Sequence, residues 1–278
     1  MPSLSRMIIL KKVDFVKKLI LLLVLMFQVV YANDNNSTIT DTSEFSKEEK
    51  AVMLNSAVGL GIITWGVLHW DYSIDNDMHT ESEGWFQHDT DEGGSDKFGH
   101  MYISYGLTHL FSYFYKEIGY EGDDVPLYGA FSSLFLTGLM EVGDSFSDYG
   151  FSYEDMTANV LGTFLGYVTY KYPSIGRKID YRTEYKIDKS ELSGDFVTDY
   201  ENMKYLLAFK ADGFDIFEDY EYLKYLELYV GYYSRGYAKI GAKKERNTFV
   251  GFGINLSKVF DTKIFKYYQV PDIYLRNR

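Results

Sequence analysis

Three short polar clusters interrupt the apolar helical patterns between residues 94 and 166 and constrain the fold more than any other feature of the chain. Each cluster lies at or near the end of a predicted helix, and its side chains are spaced three or four residues apart, so that they share one helix face. In an up-down bundle the three clusters would meet at the same end. The first cluster contains Asp96, Lys97 and His100, the second Glu141, Asp144, Ser145 and Asp148, and the third Asp155 and Asn159.

Four apolar segments predict a helical bundle over residues 50–172. The first, residues 51–70, is long enough to cross a bilayer, but it also suits the buried central helix of a soluble bundle. The other three are predicted at Lys97 to about Ile118 with Ser95 or Asp96 as N-cap, at Pro126 to about Val142, and at Ser152 to Tyr172 before Pro173. The long acidic connection 71–95 carries Trp85 and Phe86, which we expect either to cover the site as a lid or to plug the end of the bundle.

After Pro173 the pattern changes from helical spacing to alternation. Residues 173–195 are charged and predict a linker, whereas residues 196–278 contain runs with period two. These runs, at 202–211, 222–234 and 247–260, predict a small antiparallel β-sheet and thus an α+β fold. Three or four strands cannot close a barrel. The sheet must therefore lean on the bundle, on a membrane surface or on a second copy of the chain, which makes a homo-oligomer one of the expected partners.

The N-terminus predicts the compartment. Four lysines precede an apolar run from Leu19 to Val30, and Ala32 stands before the polar residues 33–49. This order is typical of a signal peptide, residues 1–32, that is cleaved after Ala32 and followed by a flexible linker. An uncleaved membrane anchor is the alternative. We therefore expect a protein of the periplasm or cell envelope, either free in the periplasm or associated with a membrane.

Composition excludes several classes of function. The net charge is −12, which argues against a nucleic-acid partner because phosphate binding needs clustered Lys and Arg. The chain has no cysteine, so disulfides, thiolate zinc sites, a cysteine nucleophile and a lipid attached to an N-terminal cysteine are excluded. Its 27 tyrosines suit surfaces that are partly apolar and partly wet, including membrane interfaces.

The motifs also carry a family resemblance. DKFGH, then YGAFSSLFLTGLMEVGDSFS, then YGFSYEDMTANVLGTFLG resemble the YfiM-type family of periplasmic proteins of unknown function, and more distantly the VanZ-like membrane family. The resemblance covers about residues 51–172. It implies a four-helix bundle with a polar site and no established reaction. The chain differs from VanZ-like proteins in its signal peptide, lower hydrophobicity and strand-rich tail.

Each candidate site residue has a structural and a functional interpretation. Asp96 and Asp155 suit helix caps, and Asp144 and Asp148 suit a solvated turn. Asn159 and Gly162 suit an interhelical hydrogen bond and a close helix crossing. Glu141 follows an apolar helix, so it should be buried and paired with Lys97 or His100.

Three functions remain open from the sequence. In the first, which we favour, the polar cluster fixes the packing of a binding or structural protein. In the second, it recognises a lipid or envelope glycan. In the third, the chain is an enzyme whose catalytic acid–base groups are His100, Glu141 and Asp155, supported by Asp96, Lys97, Asp144, Asn159 and Gly162. No cofactor is indicated, although a divalent cation would suit this set of ligands. No known catalytic motif is present, and no arginine lies between Arg6 and Arg177, which counts against phosphoryl transfer.

Overall fold

The computed structural model describes residues 45–73, 75–186, 197–238 and 241–276. The predicted signal peptide with its cleavage site at Ala32, and residues 33–44 of the predicted linker, lie outside these ranges. The fold is α+β, with a helical part followed by a mixed sheet. Four long helices form the first part: α1 is Lys47–His69, α2 is Ser95–Ile118, α3 is Asp124–Asp144 and α4 is Tyr153–Lys171.

The helix ends follow local signals and differ from the prediction by a few residues. Helix α1 begins at Lys47 because Ser46 and Glu49 form a reciprocal capping box. Helix α2 is capped by Gly94 in the left-handed conformation, with no side-chain cap, so the predicted cap at Ser95 or Asp96 is wrong. Helix α4 is capped by Ser152, whose side chain accepts a hydrogen bond from the Asp155 amide.

Small residues let the central helices approach closely. A Cβ atom at Gly162 of α4 would lie 2.1 Å from the backbone oxygen of Met101 in α2, and one at Gly129 of α3 would lie 2.1 Å from Ser112 Oγ. Helix α2 packs between α3 and α4, and α1 leans on α3. Packing of this kind depends on glycine, because any side chain would separate the helices.

A six-stranded sheet follows the short helix α5, Pro173–Gly176. Its strands are β1 Ile179–Tyr185, β2 Met203–Lys210, β3 Leu226–Arg235, β4 Glu245–Ile254, β5 Tyr268–Gln269 and β6 Leu275–Arg276. Strands β1 to β4 pair antiparallel in sequence order, β6 pairs antiparallel with β4, and β5 pairs parallel with β1. The sheet is therefore mixed rather than purely antiparallel.

Two segments differ from the predicted strand region. Strand β1 lies inside residues 173–195, which the sequence predicts as a linker, and the run 247–260 is a strand only to Ile254. Asn255 then caps a short helix α6, Leu256–Phe260, by accepting from the Lys258 amide. The Asn255 cap explains why the alternation does not continue.

The sheet leans on the bundle through tyrosines. Tyr181 of β1 and Tyr205 of β2 are buried in one cluster with Tyr105 of α2, and Tyr181 donates a hydrogen bond to the Phe98 carbonyl. The other end of this sheet face remains open, with Leu226, Val230 and Phe252 exposed. The expected contact with a second copy of the chain through this region stays a prediction.

Candidate functional site

The first turns of α2 and α4 meet the last turns of α3 at one end of the bundle, because α3 runs antiparallel to both. The structure brings together the three residues that the sequence singles out there. His100 Nδ1 lies 3.1 Å from Glu141 Oε1, at an angle outside hydrogen-bond geometry, and His100 Nε2 lies 3.8 Å from Asp155 Oδ2. Glu141 is only 1% exposed, as expected for a carboxylate at the end of an apolar helix.

Lys97 is the centre of a second group of charges. Its side chain is 3% exposed, and Nζ lies 2.8 Å from Asp155 Oδ1, 2.5 Å from Asp96 Oδ2 and 2.5 Å from Glu83 Oε2. Burying an ammonium group is tolerable only with such partners. Glu141 therefore pairs with His100, one of the two predicted partners. Lys97 pairs instead with Asp155, Asp96 and Glu83.

Asp155 joins the two groups. Its carboxylate contacts both Lys97 and His100, and the Ser152 side chain satisfies only the Asp155 amide. The predicted cap at Ser152 is thus present, while the acidic side chain of the motif is directed into the cluster. This distinguishes Asp155 from an ordinary capping-box residue, whose side chain would reach back to the cap.

Glu83 was not predicted from the sequence. It lies in the loop before α2, whose several acidic residues carry no helical spacing that would mark one of them. Burial, a hydrogen bond with Asp155 and the charge of Asp155 together raise the pKa of Glu83 to about 9, although Lys97 opposes the shift. Folding therefore favours the protonated form of Glu83.

Asn159 and Gly162 support the cluster from α4. Asn159 donates to Glu141 Oε1 at 3.0 Å and accepts from Ser104 Oγ at 2.8 Å. It thereby links α4 with α3 and α2, in agreement with the expected interhelical hydrogen bond. Gly162, two turns from the N-terminus of α4, permits the close crossing with α2.

Fewer residues of the second cluster reach the site than the sequence suggests. Asp144 faces the cavity described below, whereas Asp148 is exposed in the turn after α3. Ser145 is buried and donates to the Val142 carbonyl. The predicted solvated turn holds for Asp148 only.

A cavity of about 670 Å³ opens from the polar cluster between α1, α2 and the sheet. Its walls are mainly apolar and include Ile62 and Trp65 of α1 together with Ile103 and Leu107 of α2. His100 and Asp155 line it, whereas Glu141 lies behind His100 and does not. The described lining contains six acidic side chains and neither Lys nor Arg: Glu83, Asp91, Glu92, Asp96, Asp144 and Asp155.

The loop between α1 and α2 supplies three of these carboxylates. Burial, together with the charges of Asp96 and Asp91, raises the pKa of Glu92 to about 7. Trp85 and Phe86 do not line the cavity. Phe86 packs against Phe98 and Tyr232 instead, so the structure favours the plug over the lid.

Among the described residues, two groups of side chains have the ligand types and spacing for a hard divalent cation. One comprises His100, Glu141 and Asp155, and the other comprises Glu83, Asp96 and Asp155, with the potential ligand atoms of each group within 4.8 Å of one another. The carboxylates suit Mg²⁺ or Ca²⁺ rather than zinc. Lys97 already neutralises the second group, so the first offers the better fit.

A comparison with known protein families gives a match over the bundle. A family model described as "Predicted periplasmic lipoprotein (DUF2279)" matches residues 82–171, the segment that holds every cluster residue. The match agrees with the predicted location in the periplasm or cell envelope. The chain has no cysteine, so the lipid attachment in that description has no cysteine to use within these 278 residues. No curated protein and no solved structure matches the chain.

Two of the described helices are long and apolar enough to cross a membrane. They are α1, in which 17% of the most apolar window is buried, and α3, in which 44% is buried. A buried core helix passes the same test of length and composition. The low burial of α1 distinguishes it from such a core helix.

Proposed function

We propose that this envelope protein binds an amphiphilic molecule in the cavity beside the cluster of His100, Asp155 and Glu83. The observation that carries the proposal is the continuity of apolar walls with a polar, buried end. A volume of about 670 Å³ lies within the ~300–1,000 Å³ that is usual for sites of small ligands. The acyl or alkyl part would lie against the apolar walls, and the head group would contact the carboxylates.

The charges of the cavity favour a particular head group. Six acidic side chains line the cavity, and the described lining contains no Lys or Arg. Lys97 lies behind them and is already paired with Glu83, Asp96 and Asp155, so an anionic phosphate would find no available lysine or arginine there. An amine or a group rich in hydroxyls can donate hydrogen bonds to these acidic side chains. A hydrogen bond to an ionised group is stronger than one between two neutral groups. The ligand that fits this lining is a cationic or hydroxyl-rich amphiphile.

The motif order supports the same interpretation. The YfiM-type and VanZ-like resemblance implies a helical bundle with a polar site, and the matched family model covers residues 82–171 of that bundle. Neither resemblance supplies a reaction. Binding is therefore placed before catalysis in this proposal.

Binding can be measured with decylamine and decyl phosphate, which share an apolar chain and differ in head-group charge. We expect decylamine to bind ~10- to 100-fold more tightly, since a hydrogen bond to a charged group contributes about 1.5–3 kcal/mol. Trp65 and Trp70 line the cavity, so their fluorescence reports binding in a Trp85→Phe background. The full chain would be kept soluble in an amphipathic polymer.

Matched variants make the measurement specific. Asp155→Asn should weaken decylamine binding, and Leu107→Phe should weaken both probes because Leu107 lines the cavity. Leu110→Phe, on an exposed part of the same helix, should change neither. Equal affinity for the two probes, or no effect of Leu107→Phe, would contradict the proposal.

Acid–base catalysis is the second candidate, and the pairing of Glu141 with His100 favours it. Glu141 lies behind His100 Nδ1, leaving Nε2 near Asp155 at the edge of the cavity. Burial lowers the pKa of His100, but the charges of Asp155 and Glu141 outweigh burial and raise it to about 10. The protonated ring, oriented by Glu141, therefore suits a general acid. In this alternative Glu141→Gln removes the charge that orients the ring, while decylamine binding persists because Glu141 does not line the cavity.

The two candidates differ in the fate of the ligand. Envelope lipid extract would be incubated with the wild type, with Glu141→Gln and with the exposed control Glu121→Gln, and analysed by mass spectrometry. Catalysis predicts products with the wild type and the control but not with Glu141→Gln. Binding alone predicts that all three proteins return the same unchanged lipids. Glu141→Gln should leave the ion pairs of Lys97 intact, because Lys97 does not contact Glu141.

A further inference from the structure

The outer surface of the bundle is apolar on all four helices. Phe131, Phe135 and Phe164 are 61%, 66% and 63% exposed, which is unusual for phenylalanine at the surface of a protein in water. Aliphatic residues continue this surface between them. Together they form the apolar belt, which consists of Leu68, Leu110, Leu127, Phe131, Phe135, Val142, Val160, Leu161 and Phe164.

The interior of the bundle is correspondingly polar. Ser104, Ser133 and Asn159 are fully buried between α2, α3 and α4. Ser133 donates to the Ser104 carbonyl at 2.8 Å, and Ser104 donates to Asn159 at 2.8 Å. A water-soluble bundle buries its apolar side chains and exposes its polar ones. This bundle does the reverse, with small residues and interhelical hydrogen bonds inside, as helices in lipid do.

The belt is free of formal charge and ends in amphipathic side chains. No Asp, Glu, Lys or Arg occurs in residues 51–68, 98–115, 125–140 or 156–170. These stretches are about 22–27 Å long at ~1.5 Å per residue, slightly less than the ~30 Å of a hydrocarbon core. At the loop between α2 and α3 the exposed residues include Tyr113, Tyr128 and Tyr172, and at the opposite end they include Trp85, Tyr149 and Tyr153.

We propose that an envelope lipid bilayer covers the apolar belt, with the His100–Glu141–Asp155 end of the bundle at one membrane surface. Tyrosine and tryptophan at both ends and phenylalanine between them match the two interfaces and the core of a bilayer. A second copy of the chain would cover one self-complementary patch, whereas the belt extends over four helices. Lys116 and Lys171, beside the tyrosines of the far end, can reach lipid head groups and accommodate the small length mismatch.

Depth-dependent quenching tests the proposal on the full chain. Phe135→Trp places a reporter in the belt, and Tyr222→Trp places a matched reporter at a residue that is 88% exposed outside the bundle. Both variants would be reconstituted into phosphatidylethanolamine–phosphatidylglycerol vesicles, with and without brominated acyl chains. The fluorescence of the parent protein is subtracted, so that the three native tryptophans do not contribute.

We expect bromine to quench the reporter at position 135 at least twofold and to leave the reporter at position 222 nearly unchanged. Equal quenching at both positions would overturn the proposal. So would an unquenched reporter at position 135 together with a doubled particle mass, which would assign the belt to a second copy. The result is independent of the cavity, because decylamine binding can fail while position 135 is still quenched. It is also independent of any N-terminal anchor, because an anchor alone would not bury position 135.

Discussion

At the scale of single residues, Glu83 is one of several groups whose shifted pKa makes stability depend on pH, with Glu92 and Asp144. Its folded-state pKa of about 9 lies above the ordinary value of 4.5, so folding favours the protonated form. The stabilisation is complete below about pH 4.5 and is lost as pH rises towards 9. Glu83→Gln keeps a neutral side chain of the same shape and removes this loss.

We therefore expect the unfolding temperatures of the wild type and Glu83→Gln to be similar near pH 4.5 and to separate as pH rises to 9, with the variant the more stable. Thermal unfolding followed by circular dichroism at several pH values measures the difference. Glu81→Gln, two residues away and exposed, is the control and should follow the wild type. A constant difference between wild type and Glu83→Gln at all pH values would show that Glu83 does not titrate in this range.

At the scale of elements, the long helices could be predicted because capping residues and apolar runs are local signals. Helix α4 begins after Ser152 and ends before Pro173, and α1 differs only by the few residues that the capping box adds. Glu83 could not be predicted in this way, because its place beside Lys97 depends on how an irregular loop folds over the end of the bundle. Only the length of that loop indicated that it covers something.

Strand β1 shows the opposite case. Its charged residues are a local signal, but they wrongly indicate an exposed linker. Asp180, Arg182 and Glu184 alternate along it and look solvent-exposed in sequence, yet each is 1% exposed. Arg182 contacts Asp180 at 2.8 Å and Glu227 of β3 at 2.7 Å. A buried charge is tolerated only with such partners, and the partners come from other parts of the chain. Hydrophobic periodicity alone therefore assigns this segment to a linker.

At the scale of the whole molecule, the sheet and the bundle share one wall of the cavity. Tyr205 of β2 is 2% exposed, lines the cavity and lies with its ring 6.4 Å from Phe98 and 6.2 Å from Tyr102 of α2. Close approach is possible because residue 99 is glycine, whose added Cβ would lie 3.0 Å from the Tyr205 hydroxyl. The two parts should therefore unfold together.

Tyr205→Ala tests this coupling. Removing a buried aromatic side chain leaves a cavity and should lower the free energy of unfolding by about 3–5 kcal/mol, whereas Tyr222→Ala at an exposed position should change it little. Hydrogen exchange followed by mass spectrometry would show which elements lose stability. If the tyrosine cluster joins the two parts, exchange should accelerate in α2 as well as in β1 and β2, and decylamine binding should weaken with it. Faster exchange confined to the strands would mean that the sheet opens independently and that the bundle holds its site without it.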